Sequence, residues 1–497
     1  MLKYYILLYF FTSVLHAQCM VFKHEDIADP MNDALYLLLS QAAKCPDNIQ
    51  DLKKIMTYFN LSEETAMVAN RGRNNPGKGS FNFISSIQGV LPSGDMVTKG
   101  DFFLRYSTRL KHKSIILDQK PKNKKLFIEA IAWDNTKKLY NFYELRGIKK
   151  GKTRWFYRGD SKDAYNDNVW LYRKIPQGEN PFGDRMRCSA CHNTGGPIFK
   201  ELTSPHNDWW RTNRPLIMQP NSPDSEVKNI IDHLVDAGLV AHHVGIGDSK
   251  LAASPTMKRF QSELSLQEQL RPLFCTAQIN LQANEHYNNK VEIPSEFFIN
   301  PLLASFELSL PIVTYKKLLE EYKMHFPETS LRDADHSWLA PVKAHSEIEM
   351  IKQLQKQRLV SRKFIQAVLM VDFEHPVFSV KRCSLLKLVP EVRQKDWLSI
   401  YLARIKYQTK FDSSAAQLLF FLNDDGKRAQ NEINYYHYYL AQLLTLDIGV
   451  RKLFNSLIIN RRAVGHSDMS QNPLGQILEP GFRIIFPESM NRIESDN

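Results

Sequence analysis

The chain has 497 residues, too many for one ordinary hydrophobic core, so two to four domains are expected. Hydrophobic residues make up 43%, charged residues 24% and aromatic residues 11%, the balance of an ordinary globular protein, with no low-complexity tract and no fixed-period repeat. The net charge of +12 is spread out and the densest basic run (Lys120, Lys122, Lys124, Lys125) is short, which argues against a nucleic-acid footprint and leaves a weak preference for acidic partners or an anionic membrane surface.

Lys3, an apolar run from Tyr4 to Leu15 and the small-residue site Leu15-His16-Ala17 together read as a secretory signal peptide over residues 1–17. The run is short for a membrane span. A lipoprotein signal with Cys19 as the lipidated residue is the alternative, although Gln18 stands where a small residue is wanted; an uncleaved interfacial anchor is the third reading. Export makes disulfides permissible. Cys19, Cys45, Cys275 and Cys383 allow three pairings, of which Cys19–Cys45 with Cys275–Cys383 is the most economical because each bond keeps to one region. Lipidation of Cys19 would leave Cys45 without a partner in that scheme.

Residues 18–95 read as a helical N-terminal region: Leu35, Leu38, Leu39, Ala42 and Ala43 recur at helix spacing within Met31–Tyr58, interrupted by Pro46. Residues 96–180 read as an antiparallel β region. Its candidate strands are Phe102–Tyr106, Ile115–Leu117, the hairpin Leu126–Trp133 with Leu139–Leu145, Arg154–Arg158 and Val169–Tyr172. Their aromatics (Trp133, Phe142, Tyr143, Trp155, Tyr157, Trp170) are assigned to core and cross-strand packing. Helices are expected again over Pro223–Val240, Pro301–Phe306, Val313–His325 and Ser346–Val371, the last with a capping box of Ser346 and Glu349. Lys395–Lys406, Ser413–Leu422 and Asn431–Asn460 complete the helical set.

The chemistry is concentrated in Cys188-Ser189-Ala190-Cys191-His192. C-x-x-C-H lets two thiols form thioethers to the vinyl groups of one haem while the adjoining histidine reaches the iron. An exported redox dithiol is one rival, although no βαβ pattern precedes the motif. Structural zinc on Cys188, Cys191, His192 and His206 is another, although adjacent Cys and His rarely serve one tetrahedral ion. Covalent haem attachment in bacteria occurs outside the cytoplasmic membrane, so the signal sequence and the motif support each other.

Cys188 to His192, followed by Gly195-Gly196-Pro197, resembles the haem segment of class I c-type cytochromes. That resemblance covers about 60 residues, and it implies one covalent haem c with His192 as proximal iron ligand. It also implies that the Pro197 carbonyl holds the other imidazole nitrogen, because a ligating histidine wants its second N–H on an acceptor. Phe142–Leu145, Trp155–Asp160, Arg187–His192 and Arg271–Cys275 resemble segments of exported bacterial cytochrome c domain proteins with one such motif. Pro215 to Asn221 looks like a cytochrome methionine loop, which makes Met218 the leading distal ligand, 26 positions after His192. Met257, His206 and an open sixth site are the alternatives. Trp209 and Trp210 are candidates for lining the haem, and Arg185 and Arg187 for pairing with its propionates.

A second C-x-x-C-H, an H-E-x-x-H, a G-x-S-x-G and a P-loop are all missing from the sequence. His242-His243 and Asp333-Ala334-Asp335-His336 match no common metal spacing and read as surface. The fold class expected is α+β and predominantly α-helical. It consists of a small antiparallel β-meander, a haem-binding helical segment over residues 181–245 and a helical C-terminal domain over 246–497. The expected function is single-electron transfer in the bacterial envelope, with an unidentified redox protein as partner, no nucleic acid, and a membrane only if Cys19 is lipidated. A peroxidase-like haem enzyme with an open sixth site and a haem-containing sensor or interaction protein are the alternatives.

Overall fold

The computed structural model describes residues 19–23, 25–69, 81–112, 114–118, 126–149, 151–166, 192, 194–199, 202, 222–276, 279–282, 285–287, 289–322, 340–377, 379–391 and 396–466. Two short strands, β1 (Val21–Lys23) and β2 (Asp26–Ile27), precede helices α1 (Ala34–Ser40) and α2 (Ile49–Tyr58). Asp33 and Asn48 cap these helices, accepting from Tyr36 N and Asp51 N at 2.9 Å each. Seven strands follow: β3 (Ser62–Ala69), β4 (Phe81–Val90), β5 (Met96–Lys111), β6 (Ser114–Leu117), β7 (Leu126–Asp134), β8 (Leu139–Lys149) and β9 (Lys152–Asp160). The short helix α3 (Ser161–Asn166) closes this run.

Beyond it lie β10 (Ser222–Pro223), α4 (Ser225–Ile231), α5 (Ala237–Ala253), α6 (Pro255–Glu263) and α7 (Leu266–Phe274). Strands β11 (Ile279–Gln282), β12 (Glu285–Tyr287), β13 (Lys290–Ile293) and β14 (Leu308–Pro311) lead to α8 (Ile312–Tyr322). Strand β15 (Ala340–Lys343) runs into α9 (His345–Lys356), followed by α10 (Arg362–Met370), α11 (Val380–Ser384) and α12 (Trp397–Gln408). The last helices are α13 (Ser413–Asn423), α14 (Lys427–Thr445) and α15 (Asp447–His466).

This architecture overturns the expected small meander in a mainly helical chain. The protein is a mixed α/β fold built on a ten-stranded sheet in which β5 pairs with β4, β6 and β7. The β7–β8–β9 meander is present, but β3 and β4 extend the sheet into the region read as helical, and β1 joins β9 in parallel. Val169–Tyr172 lies outside the described residues.

The missed strand β4 and its sheet mates β5 and β8 are covered on both faces. Phe81, Phe83 and Ile87 of β4, Phe102 and Leu104 of β5, and Tyr143 and Leu145 of β8 pack under Leu35, Leu38, Leu52 and Met56 of α1 and α2. Their neighbours Ile84, Phe103, Tyr140 and Phe142 face the other way, against Val240, Val244, Leu251 and Met257 of α5 and α6. A strand buried on both sides shows no apolar–polar alternation, so the period-2 signal is absent.

Several helices are shorter than expected. The span Ser346–Val371 is broken where Arg358 takes a left-handed φ of 56° and Ser361 caps a new helix by accepting from Phe364 N at 3.1 Å. The Asn431–Asn460 span is likewise split at Leu446, and Pro223–Val240 at residues 232–236. Residues 301–306 are not helical.

Two disulfides close the chain on itself. Cys19–Cys45 ties the approach to β1 to the segment before α2, and Cys275–Cys383 ties the end of α7 to α11 across 108 residues. The second loop is the longer, and chain-entropy arguments give long closed loops the greater stabilisation. Urea titration of the Cys275→Ser/Cys383→Ser double variant is expected to show a loss of about 2–4 kcal/mol, more than the corresponding Cys19/Cys45 variant. A larger loss from the Cys19/Cys45 pair would refute this ordering.

Candidate functional site

Of the C-x-x-C-H motif, His192 is described and Cys188 and Cys191 are not. His192 is buried on the sheet face that meets α5, its ring 5.1 Å from that of Phe142 on β8 and 5.9 Å from that of Phe199. Phe199 in turn packs on Phe103 of β5 at 5.7 Å. The loop after the histidine turns tightly, with Gly195 N donating to His192 O at 2.7 Å and Gly195 at a φ of +79°. Only glycine suits that position, since a Cβ there would also stand 2.5 Å from the Ser161 carbonyl oxygen at the start of α3.

His192 Nδ1 lies 2.8 Å from the Gly196 carbonyl oxygen and 3.3 Å from Ile198 N. Both cannot be conventional hydrogen bonds of one protonation state. A carbonyl only accepts, so the shorter contact requires a proton on Nδ1, and Ile198 N has Gly196 O itself as an acceptor at 3.0 Å. This tautomer puts the imidazole lone pair on Nε2, the arrangement a metal-binding histidine needs. The acceptor is Gly196, one residue before the Pro197 carbonyl expected from the cytochrome resemblance. Pro197 instead lies against α5, its Cγ within 2.7 Å of where a Cβ on Gly247 would be.

Helix α5 forms the roof over this loop. Asp248, the residue after Gly247, points at Gly196, where an added Cβ would collide with its Oδ1. Asp248 is 7% exposed and makes no hydrogen bond with any described residue. Desolvation, reinforced by the charge of Glu349 on α9, pushes its carboxyl from 3.8 up to about 8. Two residues on, Lys250 pairs with Asp101 and lies 4.6 Å over the Trp133 ring. Beside the loop, α5 and the first residues of α9 enclose a cavity of about 620 Å³ that is lined by Ile198, Phe199, Val244, Asp248, Ser249 and His345, among others. That volume is within the range of small-molecule and cofactor sites, about 300–1,000 Å³.

The remaining sequence candidates fall as follows. Met218, His206, Arg185, Arg187, Trp209, Trp210 and Asp333–His336 lie outside the described residues. Met257 is buried on α6 in the same apolar cluster as Phe142 and Phe199. His242 is exposed at the cavity mouth, whereas His243 is no surface residue. It is fully buried, with Nδ1 3.0 Å from Ser86 Oγ and Nε2 3.4 Å from Glu64, and desolvation lowers its pKa against the pull of that carboxylate. Sequence reading missed Asp248 altogether; the only trace is an acidic residue at the start of Asp248-Ser249-Lys250 inside an otherwise apolar helix.

Comparison with protein-family models, with curated proteins and with solved structures returned no match.

The buried Asp248 carboxyl makes stability depend on pH. The folded protein keeps it protonated up to about pH 8, while the unfolded chain ionises it near its ordinary 3.8. Between those values unfolding releases a proton, so this group's contribution falls as pH rises, by at most roughly 1.4 kcal/mol per pH unit. Asp248→Asn cannot ionise and is expected to gain urea stability relative to the native protein from pH 5 to pH 8. Equal midpoint differences at both pH values would refute the assignment.

Proposed function

We propose that the chain is an exported, single-haem c-type cytochrome-like protein that carries one electron at a time between partners of the bacterial envelope. The observation that carries this reading is the Nδ1 contact of His192 with the Gly196 carbonyl, 2.8 Å long, inside a C-x-x-C-H motif. A histidine oriented through a backbone acceptor presents its other nitrogen in a fixed direction and with raised basicity. Haem c held at this loop would supply a reversible ferric–ferrous couple, with a potential tuned by axial ligand and burial.

In this proposal Cys188 and Cys191 supply the two thioethers, His192 the proximal ligand and Met218 the distal one. Phe142 and Phe199 exclude water from the imidazole, which disfavours extra charge at the metal and limits solvent reorganisation. The two disulfides support export into an oxidising compartment, in line with residues 1–17 as a signal peptide. The Cys19 thiol is engaged with Cys45, which supports the non-lipidated reading, since lipidation would consume that sulfur. Among the described residues no helix is long and apolar enough to cross a membrane.

Protein from a cytochrome-maturation host is expected to be red and to keep its haem through denaturing electrophoresis, whereas Cys188→Ala/Cys191→Ala loses it. Colourless native protein with intact cysteines ends the haem reading. A ferric methionine–iron charge-transfer band that disappears in Met218→Ala is the expected signature of electron transfer; an unchanged spectrum rules Met218 out. A high-spin ferric spectrum that shifts on adding cyanide would replace electron transfer with a peroxidase-like enzyme. A low-spin spectrum with no redox partner would point to a sensor.

A further inference from the structure

The cavity beside the His192 loop has a wall of Ile198, Phe199, Val244 and Ile246. Asp248 lies buried in it, while His242, Ser249 and His345 stand exposed at its mouth. The first turn of α9 makes no demand on a ligand there. Glu347 N and Ile348 N donate to the Ala344 carbonyl at 3.0 and 3.3 Å, and the Glu347 carboxylate pairs with Lys343. Asp248 differs, because its carboxyl makes no hydrogen bond with any described residue although the residue is only 7% exposed. Its neighbours are engaged elsewhere. Lys250, the one lysine of α5, pairs with Asp101, and the nearby Tyr140 hydroxyl donates to the Gly100 carbonyl at 2.5 Å. A buried carboxyl without donor or counter-charge is unfavourable until some other group satisfies it.

The sign of the missing partner follows from the charges around it. Glu349 on α9 adds its negative field at Asp248, even though Lys352 pairs with it at 2.6 Å, so an anion is repelled and a cation attracted. The space, about 620 Å³, suits a small molecule, and an apolar wall with one polar anchor fixes such a molecule by its charged end. We propose that this cavity binds an organic cation, a primary ammonium on an apolar body, with the ammonium donating to the Asp248 carboxylate and the body lying against Ile198, Phe199, Val244 and Ile246. On its own the Asp248 carboxyl keeps its proton through neutral pH, since burial and Glu349 push it up to about 8. Binding therefore exchanges that proton for the ammonium: the acid releases H⁺ to solvent and the carboxylate and ammonium form a neutral pair. The other titratable groups around the cavity are Tyr140, Glu349, His242 and His345. This inference does not depend on the haem reading.

Titration calorimetry of the full-length protein with hexylamine, 1-hexanol and hexanoate tests it, each run at pH 7 in two buffers of different ionisation enthalpy. Hexylamine is expected to bind more tightly than the other two and to release about one proton per molecule bound. Its affinity is expected to rise with pH between 6 and 8, by at most about tenfold per unit, and then to level off. Asp248→Asn is expected to weaken hexylamine by about thirtyfold or more, to abolish the proton release and the pH dependence, and to leave 1-hexanol unchanged. If that variant does not fold, the ranking of the three probes and the proton release in the native protein decide the matter. Hexanol or hexanoate binding as tightly as hexylamine overturns the proposal, as does hexylamine binding without proton release or no binding at all. In haem-loaded protein the visible spectrum stays unchanged on adding hexylamine; a spectral shift that survives in Asp248→Asn would assign the binding to iron and overturn the cavity site. Native protein without haem removes the cytochrome reading and leaves this test intact.

Discussion

Where α5 crosses β5, backbone meets backbone. A Cβ on Gly100 would stand 2.8 Å from Gly247 N, and one on Gly247 would stand 2.9 Å from Gly100 O and 2.6 Å from the Tyr140 hydroxyl. Neither position tolerates a side chain, so the helix lies closer to the sheet than side-chain packing allows. Around that contact the polar groups are satisfied locally: Tyr140 donates to the Gly100 carbonyl at 2.5 Å, and Thr98 donates from N and Oγ1 to Asp101 at 2.9 and 2.7 Å. Lys250 then pairs with the other oxygen of Asp101, which fixes the helix register. Pro197 and the His192 loop are therefore caught between a rigid roof and the Phe142 face of the sheet. The imidazole is oriented by packing from both sides as well as by the Gly196 carbonyl.

That arrangement explains which parts of the fold could be read from residues alone. The β7–β8 hairpin was legible because Asp134-Asn135-Thr136 punctuates it, and the side chain of Asp134 accepts from Thr136 N and Lys137 N at 2.9 and 2.7 Å. Strands β3 and β4 were not, because their alternate residues meet two different apolar layers and both register as hydrophobic. Helix lengths failed for a different reason. Apolar periodicity runs on through a break when the chain resumes on the same face, and only the local chemistry of Ser361, or of Leu446 followed by Asp447, marks the stop.

The site was legible in proportion to how local its chemistry is. Cys188, Cys191 and His192 announce themselves by spacing, and the economical cysteine pairing agrees with the bonds Cys19–Cys45 and Cys275–Cys383. Asp248 is invisible to such reasoning, since its importance comes from desolvation under α5 and from contact with Gly196, 52 positions earlier in the chain. The same holds for Ser346: its pairing with Glu349 reads as a capping box, yet β15 continues as far as Lys343 and places Ala344 at the cap. Tertiary placement thus overrides a local preference worth about 1 kcal/mol.

The C-terminal part of the chain contributes to the same cavity through Ala344, His345 and Ser346. The side chain of Lys343, at the end of β15, is buried, donates to Cys275 O and Thr276 Oγ1 at 3.0 Å each, and pairs with Glu347 at 2.7 Å. Desolvation lowers its pKa, while the Glu347 carboxylate supports the charged form. Its bonds lock the first turn of α9 to the end of α7, which the Cys275–Cys383 disulfide joins to α11. The mouth of the cavity is thereby held by covalent and ionic ties that belong wholly to the C-terminal region, while its wall belongs to the His192 loop and α5. Neither part encloses the cavity alone. The C-terminal region is therefore needed to close the cavity, and the Lys343 ties to Glu347, Cys275 and Thr276 fix its α9 side in place.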